Sequence, residues 1–242
     1  MSVAQLFKSR VNPHLLRIFG VAPAPRTRFL MGQRMCLFQA LKVDSVIDVG
    51  ANVGQYGAEL RRIGYSGRIY SFEPMSEAFA GLREASMGDP LWSVHNVALG
   101  DRNDTLTLHT WSGSAGESSS LRAIAPSLEA RLGPAREEIV PVTTLDAWCD
   151  RAGLTDIAHS WLKIDTQGYE VLVLGGAAEV LKEVAGVEIE LPFQEWYQDM
   201  ASTGELLEVL RRAGFRPATI MTERFRVEWN GAVDADALFV RV

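Results

Sequence analysis

The sequence predicts an α/β fold, an open and mostly parallel sheet with helices on both faces. Two observations carry this. Apolar runs of strand length alternate with helical stretches between residues 46 and 99, a βαβαβ order. The first run, in "VIDVGANVGQYG" (46–57), breaks directly into a glycine turn, as a buried strand does when it delivers the chain to a ligand. A length of 242 residues suits one large domain with an added arm.

Along the chain, "VAPAPRT" (21–27) interrupts an N-terminal helical arm because its two prolines end a helix. A second helix over 28–42 leads into the body. Residues 46–50 read as a strand, 54–63 as a helix, 68–73 as a strand, 75–86 as a helix and 92–99 as a third strand. The rhythm then changes. "DTLTLHTW" (104–111) and "EEIVPVTT" (137–144) alternate with period two, as half-exposed strands do. The Ser/Gly/Ala-rich stretch 112–120 lies between them, and 100–144 is expected to be an antiparallel insertion with a lid or acceptor loop. Thr143 or Thr144 caps a helix over 144–153. "WLKID" (161–165) is a buried strand, with a helix from about 169. "GVEIEL" (186–191) is another strand, and a helix over 203–213 ends at Gly214. Residues 215–220 and 236–242 close the chain as an antiparallel pair.

Charge is uneven. Residues 1–43 hold seven basic side chains and no acid, leaving −13 on the rest of a chain whose total is −6. The acidic body argues against a nucleic-acid partner. The basic arm suits either a peripheral contact with an anionic membrane or packing on its own acidic body or a second subunit, which leaves a homodimer open. Cys36 and Cys149 have no disulfide or zinc spacing. No apolar run is long enough to span a bilayer, and Lys8, Arg10 and Arg17 interrupt any signal-peptide core. The expected location is cytoplasmic, at most peripheral to the inner membrane face.

The glycine turn excludes one cofactor and favours another. A dinucleotide turn needs three glycines as G-x-G-x-x-G, and here Asn52 and Gln55 stand at the second and third. The actual spacing, D-x-G-x-N-x-G, suits a cofactor without phosphates. S-adenosylmethionine (SAM) carries a sulfonium, an ammonium and a carboxylate. Asp48 is placed to act on its cationic part directly or through water. Gly50, Asn52 and Gly54 shape the turn, and Tyr56 follows on the helix. Glu73, in "SFEP", ends the second strand where an acid accepts both ribose hydroxyls, and Pro74 redirects the chain. Asn96, Val97 and Ala98 end the third strand, in place to contact adenine.

"IDVGANVGQYG", "FEP", "NVALGD", "VTTLD", "KIDTQGYEVLVLGGA" and "IEL" occur in this order. Together they resemble the FkbM family of SAM-dependent methyltransferases over about 44–242, with 1–43 outside the match. The resemblance implies the class I methyltransferase fold, Rossmann-like, with a seven-stranded, mostly parallel sheet and an antiparallel last strand. It also implies O-methylation of a sugar or polyketide-like hydroxyl.

Methyl transfer to an alcohol needs alignment and a place for the hydroxyl proton. Asp165, ending "WLKID", could be the base, a metal ligand or a cofactor contact. Glu190 is the second candidate, and with Asp165 it could hold Mg²⁺. His109, on the insertion, could also reach the substrate. Ser118, Ser119, Ser120, Gln167, Glu170 and Tyr197 are candidate acceptor contacts. The expected acceptor is a hydroxyl of a small molecule or glycolipid. The competing readings are a nucleic-acid methyltransferase on the same fold and a non-catalytic SAM-binding subunit. Against the first, the turn after Asp165 is Thr-Gln-Gly-Tyr, without the prolines that amino-base methylation commonly uses.

Overall fold

The computed structural model describes residues 26–111, 119–124, 135–222, 225–226 and 231–242, with the side chains of 26–29, 225–226 and 231 left out. The elements run α1 (Arg26–Leu41), β1 (Ser45–Val49), α2 (Gln55–Arg62), β2 (Arg68–Phe72), α3 (Ser76–Ala85), β3 (Trp92–His95), β4 (Ala98–Leu99), β5 (Asp104–Thr110) and β6 (Arg136–Thr143). They continue α4 (Leu145–Ala152), β7 (Ser160–Ile164), α5 (Glu170–Gly175), α6 (Val180–Glu183), β8 (Gly186–Pro192), α7 (Thr203–Arg212), β9 (Phe215–Met221), β10 (Phe225–Arg226), β11 (Gly231–Ala232) and β12 (Asp234–Arg241).

The main sheet has seven strands in the order β3-β2-β1-β7-β8-β12-β9. The pairs β2/β3, β1/β2, β1/β7 and β7/β8 are parallel, and β12 runs antiparallel to both its neighbours. This is the class I methyltransferase topology. The strand order reverses between β1 and β7, so the connections that leave their carboxyl ends turn to opposite sides and open a crevice there. A second sheet, β4-β6-β5, comes from the expected insertion, with β5 and β6 antiparallel. Residues 92–99 are two strands rather than one. Asn96, exposed, donates its amide to the carbonyls of Glu73 and Pro74, both at 2.9 Å. That turn releases residues 98–99 to pair with β6.

Alternation along each strand sorts the core into two faces. Ile47, Val49, Leu162 and Ile164 pack under α4, α5 and α7. Val46 and Trp161 pack on the other face with Leu30 and Phe38 of α1, Leu60 of α2 and Leu82 of α3. The second half of the basic arm is thus part of this core. Residues 1–25 of the 1–43 arm, to which the membrane-contact expectation applies, lie outside the described residues. Among the described residues no helix is long and apolar enough to cross a membrane.

The α1 face also carries a charged row. Register aligns Ser71 with Asp48, Asp48 with Lys163 and Lys163 with Glu188 across four adjacent strands. Arg34 of α1 closes the row. Its Nε donates to Glu188 Oε2 at 2.8 Å and its Nη2 to Glu188 Oε1, and its guanidinium lies 4.7 Å from the Tyr56 ring centre. Tyr56 Oη (2.7 Å) and Trp161 Nε1 (3.3 Å) also donate to Glu188. Both ions are buried, so removing one partner strands the other. Arg34→Ala is expected to cost about 3–5 kcal/mol of stability. Urea unfolding measures this, and a loss below about 1 kcal/mol would show that the pair does not fasten α1 to the sheet.

Candidate active site

The site begins at the turn after β1. Gly50 has φ 77°, and a Cβ there would collide with the carbonyl oxygen of Asp165. Glycine is therefore required where the β1 and β7 ends meet. The amides of Gly50 and Ala51 both donate to the Phe72 carbonyl at 3.0 Å. Asn52 follows in the left-handed region (φ 50°), which Asn tolerates better than most residues. Its amide donates to Glu73 Oε2 at 2.8 Å, and the Met75 amide donates to Glu73 Oε1 at 2.8 Å. These bonds fix the carboxylate and leave lone pairs on both oxygens. Burial pushes the Glu73 carboxyl up to about 7, against the pull of the two N–H groups. Asn52 Oδ1 is buried at the same place with no hydrogen-bond partner.

Beyond β7 lies the opposite rim. Lys163 Nζ is 3.2 Å from Asp48 Oδ1, 3.2 Å from the Gly50 carbonyl and 3.6 Å from Asp165 Oδ2. Burial works against its charge, but Asp48 and Asp165 outweigh burial and raise it, so Lys163 is an ammonium. The Asp165 side chain is 40% exposed, enough to meet a ligand. Gln167 Nε2 donates to Asp165 Oδ1 at 2.8 Å and to Glu190 Oε2 at 3.4 Å.

These rims bound a cleft of about 540 Å³, within the roughly 300–1,000 Å³ of small-ligand sites. Gly50, Asn52, Tyr56, Glu73, Pro74, Val97, Ala98, Asp165, Gln167, Glu190, Ser119 and Ser120 all line it. So do residues that sequence reasoning missed: Lys163, Arg34, Leu30 and Met31 of α1, Leu108 and Leu121. Lys163 left one signal, a lysine inside an otherwise apolar strand.

Several expected contacts lie elsewhere. Asp48 is fully buried beneath the floor, where it bonds Ser71 and Lys163 and reaches the cleft only through the ammonium. Gly54 (φ 89°) lies against Ala85 and Leu82 of α3, so it serves helix packing. The Asn96 side chain is spent on its turn. His109 points away from the face of Leu108, with Nδ1 3.6 Å from Glu137 Oε1. Glu170 is buried and accepts from the Thr166 and Gly168 amides at 3.0 and 3.1 Å, because it closes its own turn. Tyr197 is buried behind Gln167, to which its hydroxyl donates. Ser120 Oγ, 2.6 Å from the Gln167 carbonyl, is likewise taken. Ser118 lies outside the described residues. Where Asp165 and Glu190 were to share Mg²⁺, the Gln167 amide bridges them, and among the described residues no group of three His, Cys, Asp or Glu is placed to hold a metal.

The cleft fits SAM on its own chemistry. Six carboxylates and two cations line it, a balance that favours a sulfonium and an ammonium over a pyrophosphate. Val97, Ala98, Leu99 and Leu108 offer an apolar slot of adenine character. Glu73, with lone pairs left on both oxygens, has the chemistry to accept two ribose hydroxyls, and the buried Asn52 Oδ1 beside it can accept a further hydrogen bond. Glu73 has a pH consequence. Its folded-state value lies above the ordinary 4.5, so its contribution to the stability of the ligand-free protein is present below pH 4.5 and is lost as pH rises through 7. Binding ribose hydroxyls favours the ionised form. Affinity for S-adenosylhomocysteine is expected to rise about tenfold between about pH 6 and pH 8, with Glu73→Gln abolishing the slope. Calorimetry across that range tests this, and a flat wild-type profile would remove Glu73 from the ribose.

The family model for the methyltransferase FkbM domain matches residues 48–217. The 2-O-methyltransferase NoeI of Sinorhizobium fredii is 30% identical over 205 residues, covering 81% of this chain and 83% of that protein. Among solved structures, an rRNA methylase from Streptococcus thermophilus aligns over 92% of this chain and 99% of its own at 10% identity and a TM-score of 0.48. Magnesium protoporphyrin IX methyltransferase from Synechocystis, solved with bound SAM, aligns over 99% of this chain and 95% of its own, at 12% identity and a TM-score of 0.45. With a domain match over most of the chain and a 30% identical methyltransferase relative, this protein belongs to the FkbM family and is a SAM-dependent methyltransferase.

Proposed function

We propose that this enzyme methylates a hydroxyl of a sugar or a sugar-bearing lipid, with Asp165 as the base. The observation that carries this reading is the Asp165 carboxylate. It is the part-exposed acid at the β1/β7 crevice, held at both oxygens and open to the cleft. The 2-O-methyltransferase relative supports an oxygen acceptor.

Bound SAM supplies an electrophilic methyl group on a sulfonium. The chain supplies position and a proton acceptor. Glu73 and the Gly50 turn hold the nucleoside end, and the apolar slot orients the base. An acceptor hydroxyl entering beside Asp165 gives its proton to the carboxylate while its oxygen takes the methyl. One O–C bond forms as one S–C bond breaks, and the neutral thioether leaves. The carboxylates of the rim suit the hydroxyl donors of a sugar and disfavour a phosphate-rich acceptor.

The test is transfer of labelled methyl from SAM to a panel of methyl and octyl hexopyranosides, with ribosomal RNA alongside. Methylated glycoside is the expected product, and label on RNA alone would overturn the sugar assignment. Asp165→Asn is expected to lower kcat by about 10²–10⁴-fold and to alter S-adenosylhomocysteine affinity far less. Wild-type turnover in that variant would remove Asp165 as the base.

A further inference from the structure

Gln167 has φ 53°, the left-handed region, and the next residue is Gly168 at φ 95°. A glycine at 167 would adopt this conformation without strain. The backbone alone therefore does not explain a glutamine here. Its side chain gives the reason. Nε2 donates to two carboxylates, Asp165 at 2.8 Å and Glu190 at 3.4 Å, while Oε1 accepts from the Tyr197 hydroxyl at 3.2 Å. The amide thus has its donor end toward the acids and its acceptor end toward the phenol. The backbone is pinned too. Ser120 Oγ donates to the Gln167 carbonyl at 2.6 Å, and Arg122 Nε donates to the Gly168 carbonyl at 2.8 Å.

We infer that Gln167 is a positioning residue for Asp165, and that through it the orientation of the carboxylate depends on the 119–124 segment. The inference rests on the reading of Asp165 as base. Asp165 is held from two sides, by Gln167 at Oδ1 and by Lys163 near Oδ2. Lys163 is anchored in the sheet. Gln167 is anchored in a strained turn stapled by Ser120, whose neighbours Ser119 and Leu121 line the cleft. A retained strained conformation at a functional site is consistent with such a role.

Two variants separate strain from positioning. Gln167→Gly relieves the left-handed strain that Gln167→Ala keeps, so it is expected to unfold at a temperature no lower than Gln167→Ala. Both lose the amide, so both are expected to lower kcat on a methyl hexopyranoside by about 10- to 100-fold. KM and S-adenosylhomocysteine affinity should stay within about twofold. In an Asp165→Asn background neither change should cost further activity. A crystal structure of Gln167→Gly with S-adenosylhomocysteine reads the placement without an acceptor, and the Asp165 carboxylate should lose its single orientation. An Asp165 side chain fixed as in the parent would overturn the inference. So would wild-type kcat in Gln167→Gly, or an equal loss with and without Asp165. Should Asp165→Asn alone keep full turnover, the base assignment falls while the crystal result still decides the positioning.

Discussion

The structure depends on one buried row of alternating charge, Asp48, Lys163, Glu188 and Arg34. Each ion is taken from water, which costs several kcal/mol apiece before pairing. Every charge has an opposite neighbour and further hydrogen-bond partners that offset this cost, although at Asp48 burial outweighs Lys163 and pushes the carboxyl up. Ser71 serves Asp48, the Gly50 carbonyl serves Lys163, and Tyr56 and Trp161 serve Glu188. Parallel register makes this arrangement, since three strands place Asp48, Lys163 and Glu188 side by side. The row ties the glycine turn to β7, β7 to β8, and β8 to α1. Those four elements form one side of the cleft.

A second constraint acts at the crossover. The chain ends of β1 and β7 approach so closely that Gly50 has no room for a side chain beside the Asp165 carbonyl. The same approach brings the cofactor turn within reach of the Asp165 carboxylate, with Lys163 between them. With Asp165 as the proposed base, binding and chemistry share one seam whose backbone spacing is fixed, and the Gln167 amide orients the carboxylate within it.

What was legible in the sequence was local. The strand ending in the glycine turn, Glu73 with its proline, and the capped helices each have their signal within a few residues. The failures have long-range causes. Arg34 was read as one charge of a basic arm that faces a membrane or packs on its own acidic body or a second subunit; α1 does pack on the body, but its partner Glu188, 154 residues away, could not be named from sequence. Asp48 was read as a ligand contact because nothing local announces Lys163 as its neighbour. His109 was misplaced by strand parity, since the cleft face of β5 belongs to Leu108. Glu170 and Tyr197 sit in the right neighbourhood but turn inward, one to close a turn and the other to hold Gln167. Sequence order brought these residues to the rim and could not say which way each faced.

The two charge patterns in the site divide the labour. The buried row alternates in sign and is nearly neutral, so its field beyond the first neighbours is weak, and it acts as a fastening. The rim is different. Glu73, Asp165, Glu190 and Asp236 line the cleft, and the two lining cations, Arg34 and Lys163, are engaged below by Glu188 and Asp48. An entering ligand therefore meets mostly negative oxygen. Such a field favours a sulfonium while it is charged and loses that hold once methyl transfer leaves a neutral thioether. On the proposed reading, the carboxylates that attract the donor through charge attract the neutral product less. The neutral row underneath lets them do so without unsettling the sheet.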